Sequence, residues 1–560
     1  MTSESTGEYD RPWHRLYEEH EVPESVAPYP EEPLHELLSR AAENHPDRGL
    51  VQLGERVTYP TVLEHAEALA TALEDRGVGP GDRVATVLPT SVQFSIATHG
   101  TTIAGGVHVP NDFLDAEEDL VYRLEQAAPQ VLIGNDAHRE LLCSLRDRLD
   151  IEHLLLTRLE DYGGDPDHPA VEGAEWLTDV LAATDPDPPD LSVGPEDVHT
   201  LLFTGGTTGR PKGCVLTHRN LRANVHQLTR GEDEGDAASG PLGGLVTKVV
   251  FGLPQYHTYG YLIGNLLLSR GLDIMLVSDP RDVDRIAEIV ETHGAYVVIG
   301  VPAQFVDLLE EEVAANIIGI SGSAPLAADT QERFSEDNLA LSQGYGLSEC
   351  LATHVDVESV QVQLGAAEYD DSRLDRPTIG VPLPDTDAKL VDVESGEELD
   401  LETAAREGLE GEMYLNGPQR MRGYLDDDRD PFDPEGFVAT GDVVRLDPKG
   451  RFYVVDRVKN MINVSGLKVY TEEVDEVLHA HPAITRAATV GIPDPERPGS
   501  ERVAVYVEAS ADLTEADVRE HLEGQVARHA MPSVVEFLEA LPLTEVGKID
   551  KVALQERHGG

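Results

Sequence analysis

A chain of 560 residues exceeds what one hydrophobic core usually organises, so at least two domains are expected. Hydrophobic residues make up 40% and charged residues 26%, which supplies packed cores and excludes a largely disordered chain. The 104 Asp and Glu against 43 Lys and Arg leave a formal net charge of −61, which excludes nucleic acid as a partner.

The N-terminal segment MTSESTGEYDRPW is acidic and polar, and no apolar run approaches the roughly 18 residues of a membrane span. A cytoplasmic chain without a transmembrane segment is expected. From about Pro33 to Val109, amphipathic helical stretches such as VLEHAEALATALEDRG alternate with short apolar runs such as DRVATVL, an α/β rhythm. The stretch ATDPDPPDLSVGPEDVH, ending near His199, is rich in Pro and Asp and predicts a surface connection. After Gly294 the runs AYVVIGVP, NIIGISGSAPL and ALSQGYGLSE pair buried strands with turn residues, as in a mixed or parallel sheet. Between Gly411 and Val455, GEMYLNG, GFVATGDVVRLD and GRFYVVD are short β-like runs punctuated by Gly, and predict a small β subdomain. From about Arg457 onward a compact unit is expected, with strands near RAATVGI and RVAVYVE and a helix near ADVREHLEGQVARH. The fold class is therefore α/β: a large N-terminal domain of stacked α/β subdomains plus a β subdomain, and a small C-terminal α+β domain.

Cys143, Cys214 and Cys350, scattered and odd in number, match neither a disulfide framework nor a zinc ligand set, and predict a reducing compartment. So large a net charge would loosen a compact fold in dilute buffer. At about 1 M salt the screening length falls to roughly 3 Å and the penalty largely disappears. A salt-rich, halophile-like cytoplasm is inferred. Eight lysines against 35 arginines fit a surface cleared of the more strongly hydrated ammonium group, so each lysine that remains is a candidate for a specific role.

One of them sits in TGGTTGRPKG, Thr204 to Gly213, directly after the apolar run VHTLLF. Thr204, Gly205, Gly206, Thr207, Thr208 and Gly209 precede Lys212. Glycines let backbone N–H groups approach an anion, threonine hydroxyls add donors and Lys212 brings positive charge, the composition of a phosphate cradle. The spacing is not that of Walker A, because no Gly-Lys-Ser/Thr closes the loop.

Further motifs follow in order: SGSAPL (Ser321–Leu326), QGYGLSE (Gln343–Glu349), TGD (Thr440–Asp442), DR (Asp456–Arg457) and LPLTEVGKIDK around Lys548. Over nearly its whole length the sequence thereby resembles the adenylate-forming superfamily of acyl-CoA synthetases, peptide-synthetase adenylation domains and beetle luciferases. Gly205 stands where serine is common, and Ser348 where threonine is usual, so that hydroxyl is retained. The resemblance implies an adenine site from Ser323, Ala324, Pro325, Gly344, Tyr345, Gly346 and Ser348, with Tyr345 stacking on the base. It implies that Glu349, with Thr208, ligates Mg²⁺ on the ATP phosphates. Asp442 and Arg457 would clamp the ribose, and Lys548 would bridge the attacking carboxylate and the α-phosphate. It further implies a hinge over 456–460 centred on Lys459, between a domain of 1–455 and a mobile one of 461–560. That rotation would bring Ser465 and Gly466 to a CoA channel.

The motif PQYHTYG, Pro254 to Gly260, resembles the family's Phe-x-x-His-x-x-Gly segment and places His257 at the gate between acyl and CoA channels. An acyl pocket lined by His257, Val301, Ala303, Gly344 and Leu347 is implied, with no Arg or Lys awaiting a second carboxylate. The implied activity is ATP-dependent acid–CoA ligation through an acyl-adenylate, with Lys548, Lys212, Glu349 and His257 as the catalytic set and ATP, Mg²⁺ and CoA required. A medium- or long-chain fatty acid is favoured, with aryl and short branched acids left open, as is a homodimer. Two alternatives stay in view. One is an adenylate-only ligase, in which Gly365 to Pro377 would restrain domain rotation; the other is a non-catalytic nucleotide-binding regulator.

Overall fold

The computed structural model describes residues 11–164, 167–204, 210–231, 246–311, 313, 317–337, 340–358, 377–427, 430–465, 467–495, 497, 500–509, 513–542 and 549–558. Among these residues two large sheets carry the fold. The first has nine strands in the spatial order Val381–Pro382, Leu351–Val355, Ala340–Leu347, Ile318–Ser321, Val297–Gly300, Lys248–Phe251, Asp273–Leu276, Gly49–Gln52 and Glu55–Thr58. The second has eight, in the order Gly423–Tyr424, Gly213–Thr217, Val198–Phe203, Val107–Asn111, Arg83–Val87, Val131–Asn135, His153–Thr157 and Glu175–Trp176. Their central pairings are parallel, and runs such as VVIG and VLIGN are buried along their whole length because both faces are covered.

What covers the inner faces is helical. Thr58 and Ser91 accept the N–H of Thr61 and Phe94 and so start Tyr59–Asp75 and Val92–Ile103. The second of these is buried from Val92 to Thr102, its polar side chains Gln93, Ser95, Thr98 and His99 included. One core cluster joins its side chains to Leu50, Phe251 and Ile274 of the first sheet and to Val84, Ile133 and Leu155 of the second. The helix is thus sandwiched between the sheets, as a layered α/β architecture requires. The Pro/Asp-rich connection holds no helix or strand from Thr184 to Asp197, as its composition predicts.

A five-stranded antiparallel sheet follows, in the order Glu398–Leu399, Asp387–Val391, Glu410–Asn416, Val438–Leu446 and Phe452–Arg457. It begins earlier than Gly411, where the glycine-punctuated runs place its start. In Asp387–Val391 only Ala388 and Leu390 turn inward, while the ammonium of Lys389 is held by Asp433 at 2.7 Å and Glu435 at 2.6 Å. The N-terminal segment packs on this sheet through Trp13, whose ring lies 5.6 Å from that of Phe452.

In the C-terminal part, Ile484–Pro493, Glu501–Ala509 and Val534–Phe537 form a three-stranded sheet whose last pairing is parallel. The expected helix over ADVREHLEGQVARH is shorter, Glu515–Leu522, because the chain turns at Gly524 with φ +82°. Around Ser465 the chain forms the paired strands Ile462–Val464 and Leu467–Val469 and enters the helix Thr471–His479. The architecture is mixed α/β with a large N-terminal and a small C-terminal part, as expected. Among the described residues no helix is long and apolar enough to cross a membrane.

Candidate active site

The glycine-rich loop connects two paired strands. Val198–Phe203 and Gly213–Thr217 run antiparallel, with Phe203 opposite Gly213. At their open end Lys212 N–H donates to Thr204 Oγ1 at 3.1 Å and Thr204 N–H donates to the Lys212 carbonyl at 2.9 Å. These reciprocal bonds pin the base of the loop; Gly205, Gly206, Thr207, Thr208 and Gly209 lie outside the described residues. Lys212 Nζ sits 4.5 Å from the centre of the Tyr424 ring and 3.7 Å from Asp427 Oδ2. The Tyr424 hydroxyl in turn donates to Glu349 Oε1 at 2.7 Å. A cleft of about 390 Å³ opens on this sheet edge, lined by Val215, Arg422, Tyr424, Asp427 and Phe432.

The second group gathers across the first sheet. Ile318–Ser321 lies parallel to Ala340–Leu347, and beyond it Ser323 holds φ +68°, a left-handed turn unusual for a side chain. Ala324 and Pro325 follow in that turn, and Leu326 N–H donates to Gln343 Oε1 at 3.3 Å, tying the two motifs together. From the partner strand Tyr345 donates its hydroxyl to Asp442 Oδ2 at 2.6 Å. Asp442 faces Arg457 in register, and their side chains pair at 2.8 Å between Oδ1 and Nε. Arg457 also donates to the Thr440 carbonyl at 3.1 Å. Burial raises the Asp442 carboxyl despite the Arg457 charge, and burial first, then Asp442, raises the Tyr345 phenol well above its usual range. The proton stays on Tyr345, so Asp442 is the acceptor in this pair. A Cβ on Gly346 would lie 2.2 Å from the Leu351 carbonyl oxygen, so glycine is required there, whereas at Gly344 it meets only the His354 carbonyl oxygen at 3.8 Å and leaves space.

The two halves meet at Ser348, whose hydroxyl is 2.9 Å from that of Thr258. Thr258 opens the helix Thr258–Ser269, and His257 is its N-cap residue, partly exposed, with Nε2 3.9 Å from Asp112 Oδ2 and its ring 4.8 Å from that of Tyr256. Leu347 and Val301 are half-buried and Ala303 is exposed at the start of the helix Pro302–Glu310. The inward residue of that turn is Gln304. Its amide donates to the Gly252 carbonyl at 2.8 Å and accepts from Val301 N–H at 2.8 Å.

Lys459 follows the strand Phe452–Arg457 in a turn. The buried carboxylate of Asp456 accepts the N–H of Thr471 at the start of the helix Thr471–His479, and burial pushes it up to about 6. Ser465 holds φ +55° and its N–H donates to Ser500 Oγ at 2.8 Å. Gly466 and Lys548 lie outside the described residues.

A model of the AMP-binding enzyme family matches residues 38–425, and a model of the AMP-binding enzyme C-terminal domain matches residues 473–548. The chain belongs to the AMP-binding enzyme family. It is similar to a long-chain-fatty-acid–CoA ligase of Escherichia coli, 30% identical over 573 residues, covering 96% of this chain and 97% of that one. A feruloyl-CoA synthase of Amycolatopsis is 31% identical over 520 residues, covering 90% and 95%. Among solved structures, ATP-bound MatB from Rhodopseudomonas palustris has a TM-score of 0.79 at 26% identity, covering 94% of this chain and 99% of that one.

In this AMP-binding enzyme Lys212, Glu349 and Tyr424 fall inside the first matched segment. Asp442 and Arg457 lie between the two segments, and Lys548 closes the second. The residues around Glu349 suit Mg²⁺. The donors are carboxylate and hydroxyl oxygens, and no group of three His, Cys, Asp or Glu forms a protein-only cage among the described residues. A hard ion that draws most of its shell from phosphate and water needs only one such carboxylate. Sequence reading missed Tyr424 and Asp427, because each acts through a partner far away in the chain. The one available signal was Lys212, whose charge in an acidic protein needed neighbours.

Proposed function

We propose that this AMP-binding enzyme is an AMP-forming acid–CoA ligase. The single observation that carries this reading is the Tyr345–Asp442–Arg457 clamp standing beside the Lys212–Tyr424–Glu349 bridge. The first is suited to a ribose diol and the second to a metal-bound polyphosphate. A carboxylate is a poor electrophile, and adenylation corrects that. The acid's oxygen attacks the α-phosphorus of ATP, the bond to the β-phosphate oxygen breaks, and pyrophosphate leaves. CoA thiolate then attacks the acyl carbon, and AMP leaves with the bonding electrons.

Lys212 and Lys548 would offset charge on the phosphates, acting by position rather than by covalent chemistry. Mg²⁺, held by Glu349 and Thr208, would supply further neutralisation of the phosphate oxygens. Ser323, Ala324, Pro325, Gly344 and Gly346 would frame the adenine, with Tyr345 against its face. His257, Val301, Ala303, Gly344 and Leu347 would line the acyl side. Residues 1–455 and 461–560 would turn about Lys459 between the half-reactions, presenting Lys548 for the first and Ser465 and Gly466 for the second. A medium- or long-chain fatty acid remains the favoured substrate, supported by the Escherichia coli relative; the Amycolatopsis relative supports an aryl acid as the second reading.

Acid-dependent exchange of labelled pyrophosphate into ATP, without CoA and in molar KCl, tests the adenylation half alone. The wild type should exchange. Asp442→Ala should lose roughly 100-fold in kcat/KM for ATP, since it removes a charged acceptor and leaves Arg457 and Tyr345 without it. Exchange at the wild-type level in that variant would contradict a ribose-binding role for Asp442.

A further inference from the structure

Resting on the reading above, we propose that Tyr424 is a positioning residue that holds the metal-site carboxylate Glu349 and the phosphate-site lysine Lys212 at a fixed separation. Its hydroxyl donates to Glu349 Oε1 at 2.7 Å, and the same ring carries Lys212 Nζ 4.5 Å from its centre. One side chain thus engages both charges through chemically different parts, a hydrogen bond at its polar end and a cation–π contact on its face.

The backbone makes this placement rigid. Tyr424 lies opposite Cys214 on the edge of the eight-stranded sheet, two residues from Lys212 on the partner strand. Ladder-type bonds flank it on both sides, from Arg422 N–H to the Val215 carbonyl at 2.9 Å and from Leu425 N–H to the Gly213 carbonyl at 2.8 Å. The segment before it is tied to Glu349 itself, because Met421 N–H donates to the Glu349 carbonyl at 2.7 Å. Asn220 Nδ2 adds bonds to the carbonyls of Pro418 at 3.1 Å and Arg420 at 2.7 Å.

A reason for an aromatic spacer follows from charge. Opposite unit charges a few ångströms apart near a protein surface attract by several kcal/mol. Without an intervening group Lys212 and Glu349 would collapse into a direct salt bridge and close the space that phosphates and a cation must enter. The Tyr424 ring stands between them, leaving the ammonium to Asp427 at 3.7 Å, a contact an incoming phosphate can replace.

The two parts of the side chain separate in the test. Tyr424→Phe keeps the ring under Lys212 and deletes the bond to Glu349. It should raise the Mg²⁺ concentration for half-maximal pyrophosphate exchange about tenfold, with KM for the acid and the melting temperature unchanged. Tyr424→Leu removes both parts and should lower exchange by about 100-fold. Calorimetric titration of ATP at stepped Mg²⁺ gives a readout independent of turnover, and should show the same tenfold shift in Tyr424→Phe. In a Glu349→Gln background the Tyr424→Phe shift should vanish, because the hydroxyl acts through that carboxylate. An unchanged Mg²⁺ dependence of ATP binding in Tyr424→Phe, or a shift that persists in Glu349→Gln, overturns the proposal. Absence of wild-type exchange would instead strike the functional reading, and the calorimetry would still decide the role of Tyr424.

Discussion

Lys548→Ala is expected to cut acid-dependent pyrophosphate release by roughly 10²–10³-fold, the usual cost of removing one group that stabilises developing charge. Thioester formation from supplied acyl-adenylate should be spared. Beyond it, Asp550 N–H donates to the Pro542 carbonyl at 2.8 Å, and the helix Lys551–Glu556 is fastened by the Tyr506 hydroxyl on the Leu554 carbonyl at 2.9 Å. Lys551, three residues on, cannot substitute, because Asp475 at 2.9 Å and Thr471 at 2.9 Å hold its ammonium and the acidic neighbours raise its pKa. Equal loss of both half-reactions in Lys548→Ala would contradict a role confined to adenylation.

Acid should unfold this protein well before its carboxylates titrate in bulk. His99, His108, His199 and His218 are buried between the two large sheets, with His35 half-buried beside them. They form one polar seam. His108 contacts the hydroxyls of Thr86 at 3.0 Å and Tyr261 at 3.1 Å, the rings of His199 and His218 are 4.6 Å apart, and His218 Nδ1 accepts from Leu34 N–H at 2.9 Å. Burial lowers His99, His108 and His218 to about 3, His35 to about 4, and His199 well below its ordinary value.

The unfolded chain takes up these protons near pH 6.5 and the folded one does not until pH 3–4, so stability is complete above about 6.5 and is lost as pH falls through that window. At pH 5.5 each fully buried histidine costs about 1.4 kcal/mol, and the four together a large part of the roughly 5–15 kcal/mol that holds a domain. Asp456, raised to about 6, and Asp442, Asp475 and Glu412, raised by burial, act in the opposite sense and offset part of this loss. Thermal unfolding at constant molar KCl should show the melting temperature falling by about 5 °C between pH 7.5 and 5.5, and less steeply in His108→Asn. A flat profile would mean that the seam is hydrated and already protonated.

Local patterns carried much of this protein. The strand before the glycine-rich loop follows from its apolar run VHTLLF, whereas the roles expected of SGSAPL, QGYGLSE and Asp442 came from the resemblance of motifs in order to a known family. What failed depended on distant chain. Tyr424 gains its meaning only when a two-residue edge strand joins Gly213–Thr217, and no periodicity announces so short a strand. The hairpin Gly49–Thr58 reaches the first sheet by pairing with Asp273–Leu276, a contact no local window can hold. The strands Ile462–Val464 and Leu467–Val469 are three residues each, too short for their alternation to register, and Gly524 cut a helix that periodicity would have continued. The buried histidines come from separate elements, and singly each looks like an ordinary structural residue.

The most direct measurement is mass-spectrometric detection of products from MgATP in molar KCl across acids from acetate through palmitate plus benzoate, each with and without CoA. AMP, pyrophosphate and acyl-CoA are expected in equal amounts, dependent on CoA and strongest for one class of acid. AMP and pyrophosphate without any acyl-CoA would leave only an adenylate-forming enzyme, and ATP left intact with every acid would contradict the ligase reading itself.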